Sequence, residues 1–203
     1  MSIDLQKGQR INLQKSNGTT LSNICVGVNW GAIQRRNLLG IMKQEAVDLD
    51  ASCILFDDQQ NRMDVVYFGR LRSKDGAVKH SGDDLTGDMG EDDGKDNEII
   101  TVDFSKLDAK VNKIAFVLNS FRGQDFASIP FASIRIYEGT PTYVQSVFAS
   151  YNIAQASNFA GHVSMVLGIF YKVNNEWKFN AIGEPTKDHK LEDTIRTVQQ
   201  KFL

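Results

Sequence analysis

Two stretches of the chain carry residue types at spacings that could do chemistry: the triplet Asp48-Leu49-Asp50, and the segment from Gly82 to Glu98. The second reads Gly-Asp-Asp-Leu-Thr-Gly-Asp-Met-Gly-Glu-Asp-Asp-Gly-Lys-Asp-Asn-Glu. It sets Asp83, Asp84, Asp88, Glu91, Asp92, Asp93, Asp96 and Glu98 against one base, Lys95. Glycines at 82, 87, 90 and 94 let the backbone turn tightly and bring carbonyls inward. Calcium takes about six to eight oxygens from carboxylates, amides and backbone carbonyls in a tolerant geometry, and such a loop supplies that mixture. In a strand, residues two apart share a face. Asp48, Asp50 and Ser52 then point one way, while Val47, Leu49, Ala51, Cys53 and Leu55 line the core. Neighbouring carboxylates on one face repel unless a cation or hydrogen-bond donors compensate. Taken alone, these residues also allow a solvated acidic loop beside a pair of exposed strand aspartates.

Other chemistries fit less well. The loop lacks the EF-hand order of Gly at the sixth place and Glu at the twelfth. His80, His162 and His189 are scattered and no Cys-x-x-Cys occurs, which argues against zinc. Magnesium prefers fewer carboxylates and retained water, so the abundance of acid favours calcium. Clustered acids could instead hold two metals for phosphoester hydrolysis, the alternative function, but no motif places a base or charge clamp beside them. The expectation is therefore no catalytic residue. Cys25 and Cys53 lie in apolar runs, where a thiol behaves as a small hydrophobe and is expected to be free.

Strands must position these residues. Runs rich in Val, Ile, Phe and Tyr, bounded by Gly, Asn, Asp or Ser, cover 11–14, 24–28, 47–56, 65–68, 99–104, 113–119, 132–138, 143–148, 164–172 and 176–182. Their spacing predicts an all-β fold, a β-sandwich, as a single domain over residues 1–203. Asn174-Asn175 reads as a tight hairpin turn. Leu191, Ile195, Val198 and Phe202 recur at helical spacing, with Asp188 as the expected N-cap. A weaker helical stretch covers Ala154 to Ala160, and Gln34 to Gln44 reads as a long loop or short helix. Trp30 and Trp177 are expected to pack rather than to form a ligand cage.

These residues resemble the TerD family of tellurium-resistance and general-stress proteins over nearly the whole chain. The motifs are Leu5-Gln6-Lys7-Gly8, Val26-Gly27-Val28-Asn29-Trp30, Asp48-Leu49-Asp50-Ala51-Ser52, His80-Ser81-Gly82-Asp83-Asp84-Leu85-Thr86-Gly87, Asp96-Asn97-Glu98, Phe131 to Ile136 and Trp177 to Gly183. The resemblance implies a β-sandwich with a C-terminal helix and short peripheral helices, binding Ca2+ at neighbouring sites without catalysis. Its ligands carry over to Asp48, Asp50, Asp83, Asp84, Asp96 and Glu98. Gly31 stands where the family usually has Asp, and Ala46 where it often has one. Asp93, in the extra loop length from Gly90 to Lys95, is the expected replacement. The implied partners are other stress-response proteins, in a complex at the inner membrane face.

The rest of the composition narrows the setting. Net charge is -2, which provides no field to gather nucleic acid. Arg35-Arg36 is an isolated basic pair. No window has the apolar length of a membrane span, and the N-terminal residues lack an apolar h-region. A cytoplasmic location is expected.

Overall fold

Alternating apolar positions resolve into paired strands, as period-two burial requires. The computed structural model describes residues 3–13, 21–36, 40–152 and 159–203. One sheet runs β1 (Ile3–Asp4), β12 (Tyr143–Asn152), β11 (Ala132–Thr140), β3 (Asn23–Trp30), β9 (Glu98–Asp103) and β8 (Val78–His80). The other runs β2 (Arg10–Asn12), β14 (Glu176–Thr186), β13 (Ser164–Val173), β10 (Lys113–Ser120), β6 (Leu49–Phe56) and β7 (Arg62–Val66). Among the described residues of both sheets, only the β1–β12 pairing is parallel.

Side chains of the two sheets meet in one core. Ile24, Val26, Val28 and Trp30 of β3 and Ile100 and Val102 of β9 join Leu49, Ala51, Cys53 and Leu55 of β6 and Phe116 and Leu118 of β10. On the second sheet's other face, Ile54, Phe56, Ala115 and Val117 are covered by the helix α1 (Leu191–Lys201) through Ile195 and Val198. The face carrying Asp50 and Ser52 therefore continues into an apolar strip under a helix. Both cysteines are free and buried.

Most expected elements are present, with some differences. Asn174 and Asn175 take φ of 51° and 66°, the left-handed pair that a tight hairpin needs. The N-cap of α1 is Lys190, not Asp188, and it makes no side-chain cap bond. Asp188 instead accepts from Thr197 Oγ1 at 3.0 Å, flanking the helix, while Glu192 and Asp193 supply the first-turn negative charge. The described residues of Gln34 to Gln44 lie mostly in two antiparallel strands rather than in a loop or helix: β4 (Ile33–Arg36) pairs with β5 (Met42–Glu45), with an Arg35–Glu45 ion pair at 3.1 Å. The strands are exposed beyond Ile33, so no apolar alternation marked them. Residues 37–39, Gln14 and most of the expected helical stretch (154–158) lie outside the described residues. A 3-10 turn covers Phe126–Ser128. Among the described residues, no helix is long and apolar enough to cross a membrane.

Candidate metal centre

Asp48 immediately precedes β6 and Asp50 is its second residue, at the strand's contact with β10. The Phe121 N–H donates to the Asp48 carbonyl at 2.9 Å, and Asn119 pairs with Asp50 across the ladder. Neither aspartate is an exposed strand residue: Asp48 is 2% and Asp50 6% accessible. Asp83 comes in from the loop, and the carboxylates of Asp48, Asp50 and Asp83 each place an oxygen within 4.8 Å of the others. Arg122 Nε meets Asp48 Oδ2 at 3.2 Å. No hydrogen bond from a described residue reaches the Asp50 carboxylate. Burial first, then the charges of Glu98, Asp48 and Asp83, push its pKa up to about 7 against the relief from His80. Burial also raises Asp48; Arg122 opposes that and Asp83 adds to it. A buried carboxylate among like charges with too few donors is a set that a hard cation fits.

Glu98 stands behind this cluster and is fully buried. It opens β9 in the first sheet yet reaches the second. Its Oε2 accepts the Ala51 N–H at 2.7 Å and its Oε1 the Asp84 N–H at 3.2 Å. His80 Nε2 lies 3.0 Å from the Ala51 carbonyl and 3.4 Å from Glu98 Oε2. The Gly82 N–H donates to Nδ1 at 3.1 Å, which puts the proton of a neutral ring on Nε2. The Ala51 backbone groups would otherwise be unpaired, because β7 pairs only with Cys53 to Phe56. Burial raises the Glu98 pKa, opposed by His80 and the Ala51 N–H.

Asp84 and Asp96 shape the loop. Asp84 Oδ1 accepts from the N–H groups of Thr86 and Gly87, both at 2.9 Å. Burial works to raise its pKa, but these donors and Asn97 outweigh it and hold the carboxyl low. Asp96 pairs with Arg135 Nε at 2.8 Å on the first sheet, and Arg135 Nη2 also donates to the Gly94 carbonyl at 3.2 Å. Burial nevertheless raises the Asp96 pKa. Its carboxylate fills the space over Gly27, where an added Cβ would lie 2.0 Å from Oδ2.

A second group joins Asp88, Asp92 and Asp93, which also bring oxygens within 4.8 Å of one another. Here donors already engage each carboxylate. Asp88 accepts from the Asp93 N–H at 3.1 Å and from Asn97 at 3.2 Å. Asp92 accepts from Asn29 and from the Gly94 N–H, both at 2.8 Å. Asp93 accepts from the Lys95 N–H at 2.8 Å, and Lys95 Nζ meets it at 3.1 Å. Sequence reasoning singled out Asp93 but not Asp88 or Asp92. The signal for Asp88 is Gly31, to which it is bridged through its backbone. The side chain missing at 31 has no room, since a Cβ there would meet Phe131 at 2.5 Å.

Trp30 joins the two arms. Its indole N–H donates to the Val47 carbonyl at 2.9 Å, just before Asp48. Its carbonyl accepts from Asp88 and its N–H donates to Asn97 Oδ1. Gly87, at φ +65°, lies so close that a Cβ would meet the indole at 2.5 Å.

Comparison with known proteins agrees with this frame. The TerD domain profile matches residues 1–197. Stress response protein SCP2 of Bacillus subtilis (strain 168) is 36% identical, over 96% of this chain and 98% of its own. Tellurium resistance protein TerZ of Serratia marcescens is 34% identical over 94% of each. A Streptomyces coelicolor homologue of telluride resistance protein (TerD), of known structure, superposes with a TM-score of 0.61 at 15% identity, covering 84% of this chain and 92% of that one. It supports the fold alone. From the profile match and these relatives, the chain belongs to the TerD family.

Proposed function

We propose that this protein is a non-catalytic calcium-binding module of a stress-response system of the tellurite-resistance type. The carrying observation is the trio Asp48, Asp50 and Asp83, with Asp50 buried and reached by no hydrogen-bond donor among the described residues. Those three hold one ion. Asp88, Asp92 and Asp93 hold a second, weaker one. Asp84, Asp96 and Glu98 fix the loop and strand around them, with Glu98 and Asp84 close enough to add to the field of the first ion. When bound, calcium supplies charge neutralisation and a rigid tie between β6 and the loop. The chain's own residues supply the rest: Trp30 joins the arms, and Glu98 and His80 hold the free edge of β6 at Ala51.

The relatives' names, stress response protein and tellurium resistance protein, support the physiological setting. We read residues 1–203 as one working unit in the cytoplasm. Its calcium-ordered surface would meet other stress-response proteins, in a complex at the inner membrane face. Isothermal titration with calcium tests this reading. Micromolar binding that Asp50→Asn removes is expected; absence of binding in that range defeats it.

A further inference from the structure

Arg122 reaches the first cation group from outside it. Its Nε stands 3.2 Å from Asp48 Oδ2, and among the described residues this is the only ion pair of the trio Asp48, Asp50 and Asp83. The two partners differ in solvation: the Asp48 side chain is 3% exposed and that of Arg122 51%. The guanidinium thus closes over a buried carboxylate from the solvent side.

The backbone under Arg122 is fixed by contacts that do not involve its charge. The Gly123 N–H donates to the Ser120 carbonyl at 3.2 Å, closing a turn with Phe121 and Arg122 at its corners. The Phe121 N–H donates to the Asp48 carbonyl at 2.9 Å. Gln124 donates to the Ala46 carbonyl at 3.1 Å and accepts from Ser120 Oγ at 2.9 Å. The turn is therefore pinned to the chain at Ala46 and Asp48, and it holds a positive charge beside the cluster. Lys95, beside the second group, is a different case. Its side chain is 82% exposed and pairs with Asp93, itself 49% exposed, so water screens it.

A guanidinium is always charged in a protein. With a cation bound and the three carboxylates ionised, Arg122 leaves the group two negative charges, matching one divalent ion; without it the group would hold three. We propose that Arg122 is a specificity-determining residue of this site: a fixed counter-charge that lowers its affinity for each cation in proportion to the ion's charge, and so narrows the advantage that a trivalent ion would have over calcium. This inference rests on the calcium reading. The reason is Coulombic. Repulsion from one positive charge grows linearly with the valence of the ion, whereas a hydrogen bond that only orients Asp48 acts on all cations alike. Across one shared carboxylate and at near-aqueous dielectric, that repulsion is worth about tenfold in affinity for a divalent ion and about thirtyfold for a trivalent one.

The test is calorimetric titration of calcium chloride, and separately of terbium chloride, into the protein and its variants, reading the tighter binding event. Arg122→Gln, and Arg122→Met, which removes the charge but keeps an apolar stem, should both bind calcium about tenfold and terbium about thirtyfold more tightly. Arg122→Lys keeps the charge and should stay within about twofold of the unsubstituted protein for both ions. Arg35→Gln makes the same charge change on the same groove, where Arg35 pairs with Glu45 instead of the cluster, and should also stay within about twofold. Arg122 stands on an exposed turn, so these substitutions should spare the fold. Calcium affinity unchanged or reduced in Arg122→Gln and Arg122→Met, or equal gains for the two ions, overturns the inference and leaves the calcium reading standing. No calcium binding by the unsubstituted protein defeats the calcium reading and this inference with it.

Discussion

Asp48 and Asp50 reach their cluster from a buried strand, and Asp83 meets them there from the loop. Asp88, Asp92 and Asp93 belong wholly to one loop, and all of them are more exposed than the strand pair. The strand-borne carboxylates are positioned by β-sheet pairing on two sides of the problem: the β6–β10 ladder and the Phe121 tie to Asp48. They cannot move apart to relieve repulsion. The loop carboxylates have instead collected backbone N–H groups, Asn29, Asn97 and Lys95. A loop can satisfy its own acids; a strand cannot. The first group therefore stores electrostatic cost that a bound cation would release, and the second would have much less to release.

The sharpest way to break this contrast is to neutralise one acid of each group. Asp50→Asn should weaken calcium binding at the first site about a hundredfold. It should also raise the melting temperature of the calcium-free protein by removing a buried like charge. Asp92→Asn should cost only a few-fold in affinity. Equal losses in isothermal titration would remove the distinction between the groups. Next in size is calcium itself. At about a hundred times its Kd it should stabilise the fold by about 2.7 kcal/mol, read by thermal melts and reversed by chelator. The gain should survive in Asp92→Asn and disappear in Asp50→Asn.

Gly87→Ala probes the joint between the groups. At φ +65° against the Trp30 indole, the methyl should cost about 1–3 kcal/mol in chemical denaturation. Proton linkage sharpens the contrast further. The Asp50 carboxyl titrates near about 3.9 in an unfolded chain and at about 7 in the folded one. Over that window the folded, calcium-free state keeps a proton that the unfolded chain has released. Its contribution to stability is thus full below about pH 4 and is lost as pH rises through about 7. Denaturant midpoints in chelator should fall across that range, and Asp50→Asn should flatten the trend. The smallest effect is expected for Asp93→Asn. Its pairing with exposed Lys95 is a surface ion pair, so the denaturation midpoint should stay where it is in the unsubstituted protein.

How much of this was readable beforehand differs between strand and loop. The face assignment of Val47 to Leu55 follows from period two alone, and the core residues obey it. The same alternation says that Asp48, Asp50 and Ser52 point together, but not that a helix start and the Phe121 loop would bury them. That burial depends on contacts distant in sequence. Within the loop, acid content was visible but the grouping was not. Which of Asp88, Asp92 and Asp93 converge depends on where Gly87 and Gly94 reverse the backbone, and Asp96 is drawn off by Arg135 from another strand. The β4–β5 pair escaped because its exposed residues carry no apolar rhythm. Its pairing is set by backbone bonds and the Arg35–Glu45 contact instead.

Trp30 carries a consequence of another kind. Its indole is fully buried, bonded to Val47 on one side and pressed on Gly87 on the other. Any shift of the loop relative to the Asp48 strand must alter the polarity around that ring. The other tryptophan, Trp177, stacks on Phe104 at 5.1 Å and takes no part in these contacts. The protein therefore contains both an intrinsic optical gauge and its internal reference. The emission of Trp30, isolated in Trp177→Phe, should report loop position in unlabelled protein, in real time and at low concentration.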